Sequence, residues 1–139
     1  MVKNPFGLHS ITPYLVVENL DPLITFIEKV FNGKLRGEAT YRSDRSVQHA
    51  EITIGDSIIM LAETSPLVPE ISAMNSGMYV YVKDCDQSYK KSLQSGAVSI
   101  AEPKDYPHGD RFAGVKDFAG NIWWIVTHKG KYDIRMQNN

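Results

Sequence analysis

Cysteine is nearly absent from this chain: Cys85 is the only one in 139 residues. A single thiol excludes an internal disulfide, a CxxC redox pair and a cysteine zinc knuckle. Long apolar runs are missing too. The longest, such as Ile122 to Val126, are strand-sized and fall far short of a bilayer span. Neither charge dominates, since 15 Lys and Arg stand against 16 Asp and Glu for a formal net charge of −1. Without a basic block there is no electrostatic footprint of a dedicated nucleic-acid binder. Met1 to Gly7 lacks the basic-then-apolar profile of a signal peptide. The expectation is a soluble, cytoplasmic protein with neither nucleic acid nor membrane as partner.

What is present is a globular balance, 42% hydrophobic and 22% charged residues, in a length that suits one domain or two half-size modules sharing a core. The chain repeats itself. Thr12-Pro-Tyr-Leu-Val-Val-Glu-Asn-Leu-Asp21 runs parallel to Gly77-Met-Tyr-Val-Tyr-Val-Lys-Asp-Cys-Asp86. Val17 then matches Val82, Gly33 matches Gly96 and Leu61 matches Ile125, at a near-constant offset of about 64 residues. The reading is a single domain over 1–139 built from module one (about 9–63), a linker (about 64–76) holding Pro66 and Pro69, and module two (about 77–128). A polar tail, 129–139, is expected to fray.

Each module reads strand, helix, then three strands. Ile11 to Val17 is β-branched and apolar, as a buried strand requires. Asp21 is the expected helix cap with Pro22 in first position, where a missing N–H costs nothing. Leu23, Ile24, Ile27, Val30 and Phe31 form an apolar stripe at helical spacing, stopped by Asn32-Gly33. Lys34 to Arg42, Val47 to Ile54 and Ser57 to Ala62 follow as strands, the last two turning at Gly55-Asp56. The second module predicts strands at Gly77 to Val82, Ala97 to Ala101, Asp110 to Lys116 and Asn121 to Thr127. Its helix is expected from Asp86 to Ser95.

A helix over one face of each sheet sorts the side chains by alternation. Leu15 and Val17, with Met78, Val80 and Val82, belong under the helices, as does Trp123. The other face collects Thr12, Tyr14, His49, Glu51, Thr53, Ile58 and Met60 in one module, and Tyr79, Tyr81, Phe112, Ile122, Trp124 and Val126 in the other. So aromatic a face calls for a partner, a ligand or its own twin sheet.

Paired βαβββ modules with ITPYLVVENLDPLITFI, HAEITIGDSIIMLAE and GDRFAGVKDFAGNIWWIVTH resemble the vicinal-oxygen-chelate superfamily. Within it the likeness is strongest to the glyoxalase/bleomycin-resistance proteins, especially the PhnB-like branch, over about residues 10–128. The family's usual Asp-Pro-Phe-Gly turn stands here as Asp117-Phe-Ala-Gly. The resemblance implies an α+β fold with a cup-shaped eight-stranded arrangement, usually a homodimer. It also implies one of two trades: metal-dependent lyase, epimerase, dioxygenase or transferase chemistry, or metal-free sequestration of organic ligands.

In the metal enzymes the ligands are His, Gln or Glu on the first and last strand of each module. Carried onto this chain, those positions fall on Thr12, Met60, Gly77 and Trp124. None is an imidazole or carboxylate, and a thioether or indole does not serve zinc, nickel or manganese. A one-residue slip restores nothing. The expectation is therefore a protein without metal or other cofactor. Its aromatic cup, lined by Tyr14, Ile58, Met60, Tyr79, Tyr81, Phe112 and Trp124, would bind a small hydrophobic or aromatic molecule, with Thr12, His49 and Glu51 as orienting polar groups.

Two other readings stay open. His49 and Glu51 point to one side of a strand and suit acid–base work or an unorthodox metal site, as in a glyoxalase-related lyase or isomerase. Alternatively the aromatic face serves only dimerisation. Asp110 and Arg111 read as rim residues better suited to a salt bridge than to a ligand clamp. Cys85 reads as a small apolar residue, and His9, His108 and His128 as solvent-exposed.

Overall fold

The computed structural model describes residues 7–107 and 109–129. The expected exposure of His108 and the fraying of the tail beyond Lys129 lie outside them. Two compact units divide at Met74 and Asn75. The first carries β1 (Tyr14–Val17), α1 (Asp21–Phe31), β2 (Lys34–Leu35), β3 (Thr40–Tyr41), β4 (Val47–Ile54) and β5 (Ser57–Glu63). The second carries β6 (Gly77–Tyr81), α2 (Cys85–Gln94), β7 (Val98–Asp105), β8 (Asp110–Lys116) and β9 (Ile122–His128).

In the first unit the strands run in the order β1-β5-β4-β2, with β3 also on β4; β1 and β5 are parallel and β4 and β5 antiparallel. The second repeats the plan as β6-β9-β8-β7, with β6 parallel to β9. Among the described residues two helices and two mixed sheets make the expected α+β architecture. Among the described residues no helix is long and apolar enough to cross a membrane.

Several boundaries move, each for a local reason. β1 begins at Tyr14, not Ile11: Pro13 has no N–H to give the ladder, although its carbonyl accepts from Met60 N at 2.9 Å. The strand expected over Lys34–Arg42 breaks into β2 and β3 at Gly37, whose φ of 69° is left-handed. α1 starts at Asp21, so Leu20 is its N-cap residue. No side chain caps the helix from there; instead the Leu20 N–H donates to Glu63 Oε2 at 2.9 Å. At the other end Asn32, not Gly33, takes the left-handed conformation, with φ 56°. Gly33 serves a different purpose: a Cβ there would lie 2.5 Å from Ile27 Cγ2. α2 is capped by Asp84, which accepts from Gln87 N, one turn-residue earlier than expected.

The core of the first unit is Leu15, Val17, Leu23, Phe26, Ile27, Ile52 and Leu61, all essentially inaccessible. Phe26 joins the α1 stripe where Ile24 was expected, and meets Phe31 edge-on. The second unit buries Trp123, Ile125, Val115 and Ala113 beneath α2. Trp123 donates its indole N–H to Asp117 Oδ2 at 2.8 Å, and Asp117 Oδ1 accepts the N–H groups of Ala119 and Asn121. The buried Asp117 carboxylate thus ties the β8–β9 turn to the core, as a buried charge must be tied.

Candidate functional site

Opposed residues in neighbouring strands share a face. In the second unit Tyr79 is opposite Trp124, which is opposite Gly114; Tyr81 is opposite Val126, which is opposite Phe112. Tyr79, Tyr81, Phe112 and Trp124 therefore meet on one side of the sheet. Phe112 and Trp124, a diagonal pair, stack with centroids 5.1 Å apart and planes within 13°. Tyr79 lies 6.1 Å from Phe112 and 5.6 Å from Tyr81. A fifth ring, Tyr106, meets Phe112 edge-on at 5.3 Å. Tyr106 follows β7 in a Pro-containing loop, where strand alternation gives a side chain no direction.

The stack depends on a missing side chain. A Cβ on Gly114 would sit 2.3 Å from Trp124 Cζ3 and 2.6 Å from Cε3. The indole occupies that room and lies across the β8 backbone, with Phe112 stacked against it. Tyr79 and Tyr81 stay about half exposed, at 51% and 53%.

The polar groups around this face are largely spoken for. His128 is exposed, as expected, and its Nδ1 lies 2.7 Å from the buried Asp110 Oδ1. Arg111 forms a bidentate pair with Asp86, at 2.9 and 3.0 Å, and a third contact with Asp105 at 3.1 Å. That is the salt-bridge reading of Arg111; its guanidinium holds Asp86 below the usual carboxylate range. Cys85 is buried, donates to Ile125 O at 3.3 Å, and burial pushes its thiol up to about 11, which leaves it inert as a nucleophile at neutral pH.

In the first unit Tyr14, Met60 and Glu51 form one cross-strand row, and Ile58 is opposite Thr53. Thr12 precedes the ladder and is half-buried. His49 Nε2 lies 2.8 Å from Glu51 Oε2, and Arg36 Nη1 donates to Glu51 Oε1 at 2.6 Å. The hydrogen bond from His49 does most to hold Glu51 below the usual carboxylate range; burial opposes it, and the Arg36 guanidinium adds to the lowering. Both Glu51 carboxylate oxygens are thus engaged, one by His49 and one by Arg36. Arg36 was not singled out in the sequence; it lies beyond β2, where its own N–H still bonds Glu51 O at 2.8 Å.

The divalent ion of the metal enzymes finds no fitting donors here. Thr12 and Met60 in the first unit offer a hydroxyl and a thioether; Gly77 and Trp124 in the second offer no side chain and a stacked indole. Among the described residues no three His, Cys, Asp or Glu side chains group to hold a metal ion.

Comparison with known proteins gives the same fold. The profile of the Glyoxalase/Bleomycin resistance protein/Dioxygenase superfamily matches residues 7–125. No curated protein sequence matches significantly. Among solved structures, TioX from Micromonospora sp. ML1 is 22% identical with TM-score 0.64, covering 86% of this chain and 99% of that one. The PhnB protein from Bacillus cereus is 15% identical with TM-score 0.67, covering 86% and 99%. A glyoxalase/bleomycin resistance protein/dioxygenase from Nocardioides is 16% identical with TM-score 0.63, covering 96% and 90%. At these identities the likeness is one of fold.

Proposed function

The chain belongs to the Glyoxalase/Bleomycin resistance protein/Dioxygenase superfamily, and from that premise we propose that it is a metal-independent binding protein for a planar, hydrophobic organic molecule. The aromatic face of the second unit is its platform. The observation that carries this reading is the Phe112–Trp124 stack laid over Gly114 and flanked by half-exposed tyrosines. A ring stacked on another contributes about 0.5–1.5 kcal/mol beyond the area it buries, so several rings suffice for micromolar affinity.

The working form is a homodimer, as the family resemblance implies; sedimentation equilibrium returning the mass of a single chain contradicts that part. Tryptophan fluorescence tests the main reading. Titration with planar aromatic compounds quenches the wild-type protein, and Trp124→Ala abolishes the affinity. Unchanged binding in that variant removes the platform. Stoichiometric zinc, nickel or manganese in protein purified without chelator contradicts metal independence.

A further inference from the structure

Lys116, opposite Ile122, and Lys104, opposite Phe112, share the aromatic side of the sheet, and the chain is bent to put Lys104 beside the rings. In β7, Ala101 is opposite Gly114 but Lys104 is opposite Phe112, so three residues of β7 span two of β8. Without that bulge Pro103 would face Phe112. The extra residue turns Lys104 onto the ring side instead, a re-aiming that bulges commonly perform. There its Nζ lies 5.8 Å from the centroid of Tyr106, the ring that meets Phe112 edge-on. The ammonium is thus one ring away from the Phe112–Trp124 stack.

Among the described residues no carboxylate neutralises the Lys104 charge. Asp105, the next residue, is on the opposite side of β7 and is bound to Arg111. Asp110 is paired with His128. Lys104 has no carboxylate partner among the described residues; its described contact is the Tyr106 ring. A cation left over an aromatic surface favours a ligand that brings the opposite charge at its edge.

We infer that the ligand of this face is a planar aromatic anion, its ring on the Phe112–Trp124 stack and its acidic group against the Lys104 ammonium. This rests on the binding reading above and adds the ligand's charge to it.

Calorimetric titration with three probes of one ring system separates the two claims: naphthoate, naphthylmethanol and naphthylmethylammonium. Naphthoate binds tightest. Lys104→Gln weakens it about fivefold, the scale of one partly exposed ion pair, and leaves naphthylmethanol unchanged. Lys90→Gln, on α2, makes the same change in net charge and leaves naphthoate binding as it was. Raising salt weakens naphthoate in the wild type more than in Lys104→Gln. If all three probes bind alike and Lys104→Gln has no effect, the charge assignment is wrong while the platform stands. If Lys90→Gln weakens naphthoate as much as Lys104→Gln does, the effect is one of net charge and the assignment is again wrong. No binding of any probe overturns both.

Discussion

Gly114 lies directly beneath the indole of Trp124, so close that a Cβ at residue 114 would come within 2.3 Å of the ring. The two residues act as one device, a floor left bare and a plate laid on it. Gly114→Ala therefore lifts or swings the indole and breaks its alignment with Phe112. The expected cost is about 1–3 kcal/mol in denaturant unfolding, as for an overpacked core. The near-UV circular dichroism of the stack falls, and aromatic ligand affinity falls with it. An alanine variant with wild-type spectrum and affinity shows that the indole does not need the space.

Asp117 makes a second prediction. Its buried carboxylate accepts the Trp123 indole N–H at 2.8 Å and the backbone N–H groups of Ala119 and Asn121. Asp117→Ala leaves these donors unpaired in the interior, at about 2–4 kcal/mol. Urea unfolding monitored at the Trp123 fluorescence measures it, and a loss below about 1 kcal/mol contradicts the tie between turn and core.

The fold and its repeat were legible because buried alternation and helix stops are written in residue types. Leu15, Val17, Val80 and Trp123 face the helices as period two demands. The site was only partly legible. Tyr79, Tyr81, Phe112 and Trp124 share a face by alternation along regular strands, whereas Tyr106 follows a loop and Lys104 follows a bulge. The bulge between Ala101 and Lys104 shifts the register, and Pro103, which cannot donate to the ladder, was its one sequence signal. Gly114 read simply as a strand residue, because its significance lies in a neighbour ten positions away. Gly33 read as a helix stop, although Asn32 carries the left-handed turn and Gly33 makes room for Ile27.

The loop between β3 and β4 is sensitive to acid. Asp44 accepts from the Ser46 N–H and hydroxyl and from the Ser65 hydroxyl, and these bonds lower its carboxyl from 3.8 to about 2. A depressed folded-state value means the contribution to stability is full above about pH 4 and is lost as pH falls toward 2. Asp44→Asn removes that part of the acid limb and leaves stability near pH 7 flat with pH. Identical acid limbs in the two proteins contradict the assignment. The chemical shift of the Asp44 carboxyl carbon, followed from pH 5 to pH 2, reads the same group directly.

Glu51 sets the state of His49. An ionised carboxylate only accepts, so the 2.8 Å contact makes Nε2 the hydrogen-bearing nitrogen of the neutral ring. Nitrogen-15 shifts of His49 near pH 8 then show Nδ1 without a proton. In Glu51→Gln the amide can turn its other end to the ring, and this tautomer preference weakens. The same shifts in both proteins mean the carboxylate does not select the tautomer.

The decisive measurement is a calorimetric titration of chelator-treated protein with naphthoate, wild type beside Trp124→Ala. Metal-free wild type is predicted to bind with a dissociation constant on the order of micromolar, and the Trp124→Ala protein, still folded, to show no heat of binding. Binding that appears only when a divalent metal is restored, or that survives loss of the indole, contradicts an aromatic, metal-independent site.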